Sequence, residues 1–405
     1  MPKKAVGYLR KRGEFSYELS YKRHTKTVHA KTERDAERML AKFIADIDAD
    51  RFKPASKMTL NQLAARFLRD APNASAETKK NYEIHLKKRI LPALGHKKID
   101  KITPSNLLDF YANLQEDGVR DDGKPGGLSP ATIHKHHNIL SSLFSFAIQI
   151  DELESNPCER IKPPKIPKRK KASLDRDPTR NLLAALAEEK TKYRVIAIIA
   201  ACTGMRRNEI LGLGDSKISF EDHTFTIDRM SKHSTGRTVY LKSPKTETGI
   251  RTIPFPPSID PLLKEMIRQR DEMHTKCGDL WVETIEEYGE PTKNDLLFTA
   301  WNGAPMHPNT IDGWFAKFKK KNGLPDRFKF HGLRHTNIML QLKSGVDVGT
   351  AADMVGHASR TMTLAYDDVC DEALRNAAAS VEQALTLGNI IPSLISAPEP
   401  TRKKH

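Results

Sequence analysis

In FSYELSYK, residues 15–22, Phe15, Tyr17, Leu19 and Tyr21 alternate with Ser16, Glu18, Ser20 and Lys22. A period of two is that of a strand with one face covered, so short strands with charged turns are expected near the N-terminus. Thr32 and Asp35 then form a capping-box-like start, after which Ala36, Met39, Leu40, Phe43, Ile44 and Ile47 repeat with helical spacing. Residues 1–55 therefore read as a small three-stranded sheet backed by one helix.

From Thr59 to about Arg160 the spacing becomes helical throughout, in TLNQLAARFLRDA, SAETKKNYEIHLKKRILPAL and LSPATIHKHHNILSSLFSFAIQ, the last with Pro130 near its start. GVRDDGKPGG interrupts this run as a loop rich in glycine and charge. A four- or five-helix domain over 57–160 is expected. Lys79, Lys80, Lys87, Lys88, Arg89, Lys135 and His136 are placed where they can touch phosphates or remain a solvated face.

Residues 161–172 contain KPPKIPKRKKA, with three prolines, six basic residues and no acid, and read as a stiff, extended linker. The largest domain, 173–385, opens with the helical segments NLLAALAEEK, YRVIAIIAACTG and MRRNEILGL. It passes through the strand-like HTFTIDRM, GRTVYLK and IRTIPFP, and returns to helix from DPLLKEMIRQRDEM onward. A small antiparallel sheet embedded in helices is expected, followed by a tail over 386–405. The fold class is multidomain, mainly α with small β.

Charge adds a partner. Lys and Arg outnumber Asp and Glu by 67 to 51, a formal net charge of +16, which points to a polyanion and to nucleic acid ahead of a membrane surface. The basic strands of the N-terminal sheet can enter a DNA groove as a ribbon or simply form a solvated face. Cys158, Cys202, Cys277 and Cys370 lie far apart without a C-x-x-C pair, so neither a disulfide framework nor a zinc knuckle is indicated. With no signal-peptide pattern and no apolar run long enough to span a bilayer, a cytoplasmic location is expected.

Four motifs of the last domain hold the groups capable of chemistry. TGMRRNEI, 203–210, places Arg206 one helical turn from Glu209, a spacing that by itself reads as a surface salt bridge. PKTETGIRTIP, 244–254, puts Lys245 just before a turn. FHGLRHT, 330–336, sets His331 and Arg334 three apart, on one face of a helix. VGHASRTMTLAYDDV, 355–369, brings Tyr366 nine residues after His357. Singly, each has an ordinary structural explanation. Together they supply what metal-free phosphodiester cleavage requires: two guanidiniums to clamp the phosphate oxygens, a phenol to attack, a proton acceptor and a proton donor.

The set Arg206, Lys245, His331-x-x-Arg334, Gly356-His357 and Tyr366, in this order, resembles the tyrosine recombinase (phage integrase) family. The likeness extends over nearly the whole chain. It implies an arm-site-binding N-terminal domain, a helical, SAM-like core-binding domain and a mixed α/β catalytic domain. It further implies that Tyr366 is the nucleophile forming a 3′-phosphotyrosine link and that Arg206 and Arg334 bind the scissile phosphate. Lys245 would be the general acid, His331 and His357 would assist proton transfer and phosphate binding, and Glu209 would be structural. Gly332 and Val355 stand where the family commonly has an acidic residue and Leu; neither position carries a catalytic side chain. The partners implied are double-stranded DNA at core and arm sites, a homotetramer on DNA, an excisionase and a host DNA-bending protein, with no membrane, cofactor or metal. A type IB topoisomerase-like nicking and closing enzyme and a non-cleaving DNA-binding regulator are the competing readings.

Overall fold

The computed structural model describes residues 7–49, 56–70, 76–167, 172–233, 239–243, 249–356 and 363. The chain divides into two compact units, 1–168 and 169–405.

In the first unit, β1 (Tyr8–Lys11), β2 (Ser16–Tyr21) and β3 (His24–His29) form an antiparallel sheet in that order. Of the four residues that the alternation puts on the covered face, Tyr17, Leu19 and Tyr21 are buried, whereas Phe15, which precedes β2, is 52% exposed and departs from the expectation. The three buried residues pack with Ala36 and Phe43 of α1 (Glu33–Asp48), whose start is capped by Thr32 accepting from the Asp35 N–H.

The helical part comprises α2 (Leu60–Asp70), α3 (Ala76–His85), a π-helical segment (Leu86–Ile90) leading into α4 (Leu91–Leu94), α5 (Pro104–Asn113) and α6 (Pro130–Gln149). Pro130 occupies the first turn of α6, where a missing N–H costs nothing, and the Ser129 hydroxyl caps it. Leu60, Leu63, Leu86, Ile90, Ile133 and Leu143 belong to one buried cluster. His136 corrects the expectation of a phosphate-facing residue: it lies on the same stripe as Ile133, Leu140 and Leu143 and is 1% exposed. Its Nδ1 sits 2.9 Å from the Thr132 carbonyl and its ring is edge-on to His85. Burial pushes its pKa down. Lys88 and Arg89 do lie at the surface side of the bundle, where both pair with Asp121.

The second unit begins with α7 (Arg176–Ala185), α8 (Thr191–Thr203) and the one-turn α9 (Arg207–Ile210). Its sheets depart from expectation. β4 (Ile218–Ser219), β5 (Thr224–Ile227) and β8 (Arg251–Pro254) form one three-stranded antiparallel sheet. β6 (Met230–His233) and β7 (Val239–Lys242) join a second, whose order is β10-β9-β7-β6 and whose β7–β9 pair is parallel. Strands β9 (Thr284–Glu287) and β10 (Glu290–Lys293) follow α10 (Asp260–Cys277), where only helices were expected. The hairpin lacks an apolar alternation because only Ile285 among its strand residues is buried. Its turn is marked instead by two left-handed residues, Tyr288 (φ 55°) and Gly289 (φ 92°), the geometry of a tight two-residue loop.

The helices α11 (Pro308–Lys321), α12 (Gly332–Lys343) and α13 (Val348–Val355) complete the described part. Ile199, Phe225, Phe298, Phe315 and Leu333 lie in the main core, and Ile338, Leu342, Ala351 and Val355 form a smaller cluster joining α12 to α13. No described helix is long and apolar enough to cross a membrane. Residues 168–171 of the expected linker and the whole 386–405 tail lie outside the described residues.

Candidate active site

The site is built on the turn that ends α8. Gly204 adopts a left-handed conformation there (φ 67°), closing the helix C-terminus. A Cβ on Gly204 would lie 2.7 Å from Val355 Cγ1 and 2.8 Å from Asn337 Oδ1, so α12 and α13 pack directly onto bare backbone. Asn337 seals the helix end by donating to the carbonyls of Ala201 (2.9 Å) and Cys202 (3.0 Å). Arg334, one turn earlier on α12 and 2% exposed, donates from Nη1 to the Gly204 carbonyl at 2.7 Å. The Arg334 guanidinium is thereby fixed to the loop that carries Arg206.

Arg206 is the N-cap of α9, with extended backbone angles. Its Nη1 donates to Glu209 Oε1 at 2.7 Å and its backbone N–H to Oε2 at 2.9 Å, while Nη2 reaches the Gly356 carbonyl at 3.0 Å. The sequence reading of this pair as a surface salt bridge is corrected: the Glu209 side chain is 1% exposed and that of Arg206 is 38% exposed. An unsolvated carboxylate needs more than one half-exposed partner. Arg251, the first residue of β8, provides the second, donating from Nη2 to Glu209 Oε2 at 2.9 Å. Burial alone would raise the Glu209 pKa, but the charge and hydrogen bond of Arg251, joined by the charge of Arg206, outweigh it and hold the carboxyl below its ordinary range.

Three of the four motifs therefore meet: the 203–210 turn, the start of α12 and the end of α13. Arg334 is tied to the Gly204 carbonyl, two residues before Arg206, and Arg206 is tied to Gly356, the residue before His357. His331 is exposed at the N-cap of α12, its ring centroid 4.7 Å from that of His335. His331 and Arg334 thus differ in setting, one open to solvent and the other in the interior. Lys245, His357 and Tyr366 lie outside the described residues. Arg251 is the residue that sequence reasoning passed over. Its signal was present: in IRTIPF it shares a strand face with the buried Ile253, so period two turns an arginine inward, where it must find an acid.

Comparison with known proteins agrees with this geometry. The phage integrase family matches residues 172–372, and the phage integrase N-terminal SAM-like domain matches 59–115. A tyrosine recombinase XerC-like protein of Caldanaerobacter subterraneus subsp. tengcongensis is 27% identical over 353 residues, covering 84% of this chain and 86% of the relative. The transposase from transposon Tn916 of Enterococcus faecalis is 27% identical over 325 residues, or 76% of this chain and 74% of its own length. Among solved structures, the Tn1549 transposon integrase in complex with transposon right-end DNA superposes with a TM-score of 0.66 at 25% identity, covering 79% of this chain and all of that one. The matched segments include the turn, helices and strands that assemble around Glu209, and the chain belongs to the tyrosine recombinase (phage integrase) family.

Proposed function

We propose that this site-specific recombinase integrates and excises a phage or conjugative element, and that it breaks and rejoins DNA through a 3′-phosphotyrosine formed at Tyr366. The observation that carries this reading is the meeting of Arg206, Arg334 and the Gly356 carbonyl around one turn. Two guanidiniums held there are suited to the non-bridging oxygens of a phosphate whose charge grows during attack. The Tyr366 oxygen attacks the phosphorus, the P–O5′ bond breaks, and a tyrosyl–phosphate bond replaces it. The phenol, with an ordinary pKa of about 10, gives its proton to His331, and Lys245 protonates the departing 5′ oxygen. His357 donates to the phosphate. In the second half of the reaction a 5′ hydroxyl of the partner strand attacks the phosphotyrosine and Tyr366 is released. One phosphodiester is stored and one is remade, so the cycle needs no external energy source.

The net charge of +16 supports double-stranded DNA as the partner, as does the DNA held by the Tn1549 relative. In this reading residues 57–160 grip the core site together with the catalytic domain 173–385, and the sheet and helix of 1–55 bind arm sites. Four protomers assemble on DNA, and an excisionase and a host DNA-bending protein set direction. The test is covalent trapping on a nicked suicide substrate carrying the element's ends, without metal. Wild type is expected to yield a protein–DNA adduct and Tyr366→Phe none; an adduct in both moves the nucleophile elsewhere.

A further inference from the structure

We infer that Arg251 is a positioning residue of the cleavage site: it holds the Glu209 carboxylate in the orientation that presents Arg206 to a phosphate. The inference rests on the reading of Arg206 as a phosphate-binding group. Glu209 divides its two oxygens between the arginines. Oε1 takes Arg206 Nη1 at 2.7 Å, and Oε2 takes Arg251 Nη2 and the Arg206 backbone N–H, both at 2.9 Å. Arg251 has no freedom to leave. Its side chain is 9% exposed, its Nε donates to the Met354 carbonyl at 3.3 Å, and its Nη1 donates to the Gly249 carbonyl at 3.4 Å.

The second support of Arg206 is also set by Arg251. A Cβ on Gly356, which is left-handed (φ 67°), would lie 2.8 Å from Arg251 Nη1, so the guanidinium rests directly on the Gly356 backbone. The carbonyl of that same residue receives Arg206 Nη2 at 3.0 Å. Both ends of the Arg206 guanidinium therefore depend on groups that Arg251 fixes, Glu209 on one side and the end of α13 on the other. Among the described residues, the charged groups facing Glu209 are Arg206 from the start of α9 and Arg251 from β8, while α13 and the residue after it contribute the carbonyls of Met354 and Gly356.

An arginine present only for stability would, when replaced, lower the amount of folded protein and leave the pH profile of cleavage parallel to that of wild type. A positioning role makes a different demand. Without Arg251 the carboxylate keeps its burial and loses its larger partner, so its pKa rises, and Glu209 becomes neutral as pH falls through the raised value. A neutral Glu209 accepts more weakly from Arg206, and cleavage acquires an acid-side loss beyond that of wild type.

The experiment is single-turnover cleavage of the suicide substrate by the full chain between about pH 5.5 and pH 8.5, with DNA affinity measured in parallel. Arg251→Met is expected to bind DNA within about threefold of wild type. Its cleavage should be about 10- to 100-fold slower at the acid end and recover severalfold toward the alkaline end. Arg251→Lys should show the same acid-side loss in weaker form, and it carries the test if the Met variant does not fold. Adding Glu209→Gln to either variant should remove the extra acid-side loss and leave the profile parallel to wild type. Profiles parallel to wild type in both variants, or an acid-side loss that survives Glu209→Gln, would overturn the inference. Arg206→Ala separates the underlying reading: wild-type cleavage by that variant would remove the phosphate-binding role and the inference with it. A normal dependence on Arg206 beside parallel profiles would overturn the inference alone.

Discussion

Among the described residues of the second unit, the networks around Arg229 and around Glu209 join arginine and carboxylate in inverse ways. In one, Arg229 is central: its side chain is 5% exposed, and it pairs with Glu287 at 2.8 Å and with Asp295, and donates to the Gly212 carbonyl at 2.9 Å. One cation is surrounded by two anions, and the cluster ties β9, the 295 region and the loop after α9 together. In the other, Glu209 is central and two arginines surround it, one of which keeps 38% of its side chain exposed. The first closes its charge inward, whereas the second leaves positive charge facing outward. The same residue types are structural when the cation is enclosed and suited to an anionic ligand when the carboxylate is enclosed.

Three substitutions would break or sharpen this contrast. Arg206→Ala, in the outward-facing network, should slow cleavage by about 10²- to 10³-fold. Glu209 retains Arg251 in that variant, so DNA affinity in a binding titration and the melting transition should remain close to wild type. A parallel loss of affinity would make Arg206 a general DNA contact rather than a transition-state group. Arg229→Met, in the inward-facing network, should do the reverse. Two carboxylates lose their central cation, so urea unfolding should show about 3 kcal/mol less stability, with cleavage per folded molecule unchanged. A selective loss of cleavage there would erase the distinction between the networks. Arg120→Ala removes a half-buried partner of the exposed Asp122 in the first unit and should leave the melting transition almost unshifted, because solvent competes for the pair.

Much of the architecture was legible in the sequence. The alternation in FSYELSYK indicated which face of β2 is buried, and Thr32 and Pro130 marked helix starts, because period and helix-start preferences are local physics. The β9–β10 hairpin was missed because its pairing depends on a parallel contact with Leu241, more than forty residues earlier, and on Arg229 for its anchor. His136 was misplaced by residue type, although its spacing from Ile133 and Leu140 sets it on the core stripe. At the site, the motifs supplied the candidates Arg206 and Arg334, and the structure ties Arg334 to Gly204 in the motif that carries Arg206. They did not supply the depth of Glu209 or the role of Arg251, since burial is a property of the assembled helices rather than of any one motif.

The bond between Arg206 and the Gly356 carbonyl spans 150 residues of chain, and that between Arg334 and Gly204 spans 130. Synthesis at ordinary rates places on the order of ten to thirty seconds between the two ends of the longer one. Throughout that interval the emerging polypeptide carries the 203–210 turn, with Glu209 inside it and Arg251 following, but without the Gly356 carbonyl that receives Arg206. A chain that stops before Gly356 therefore lacks the second support of the Arg206 guanidinium.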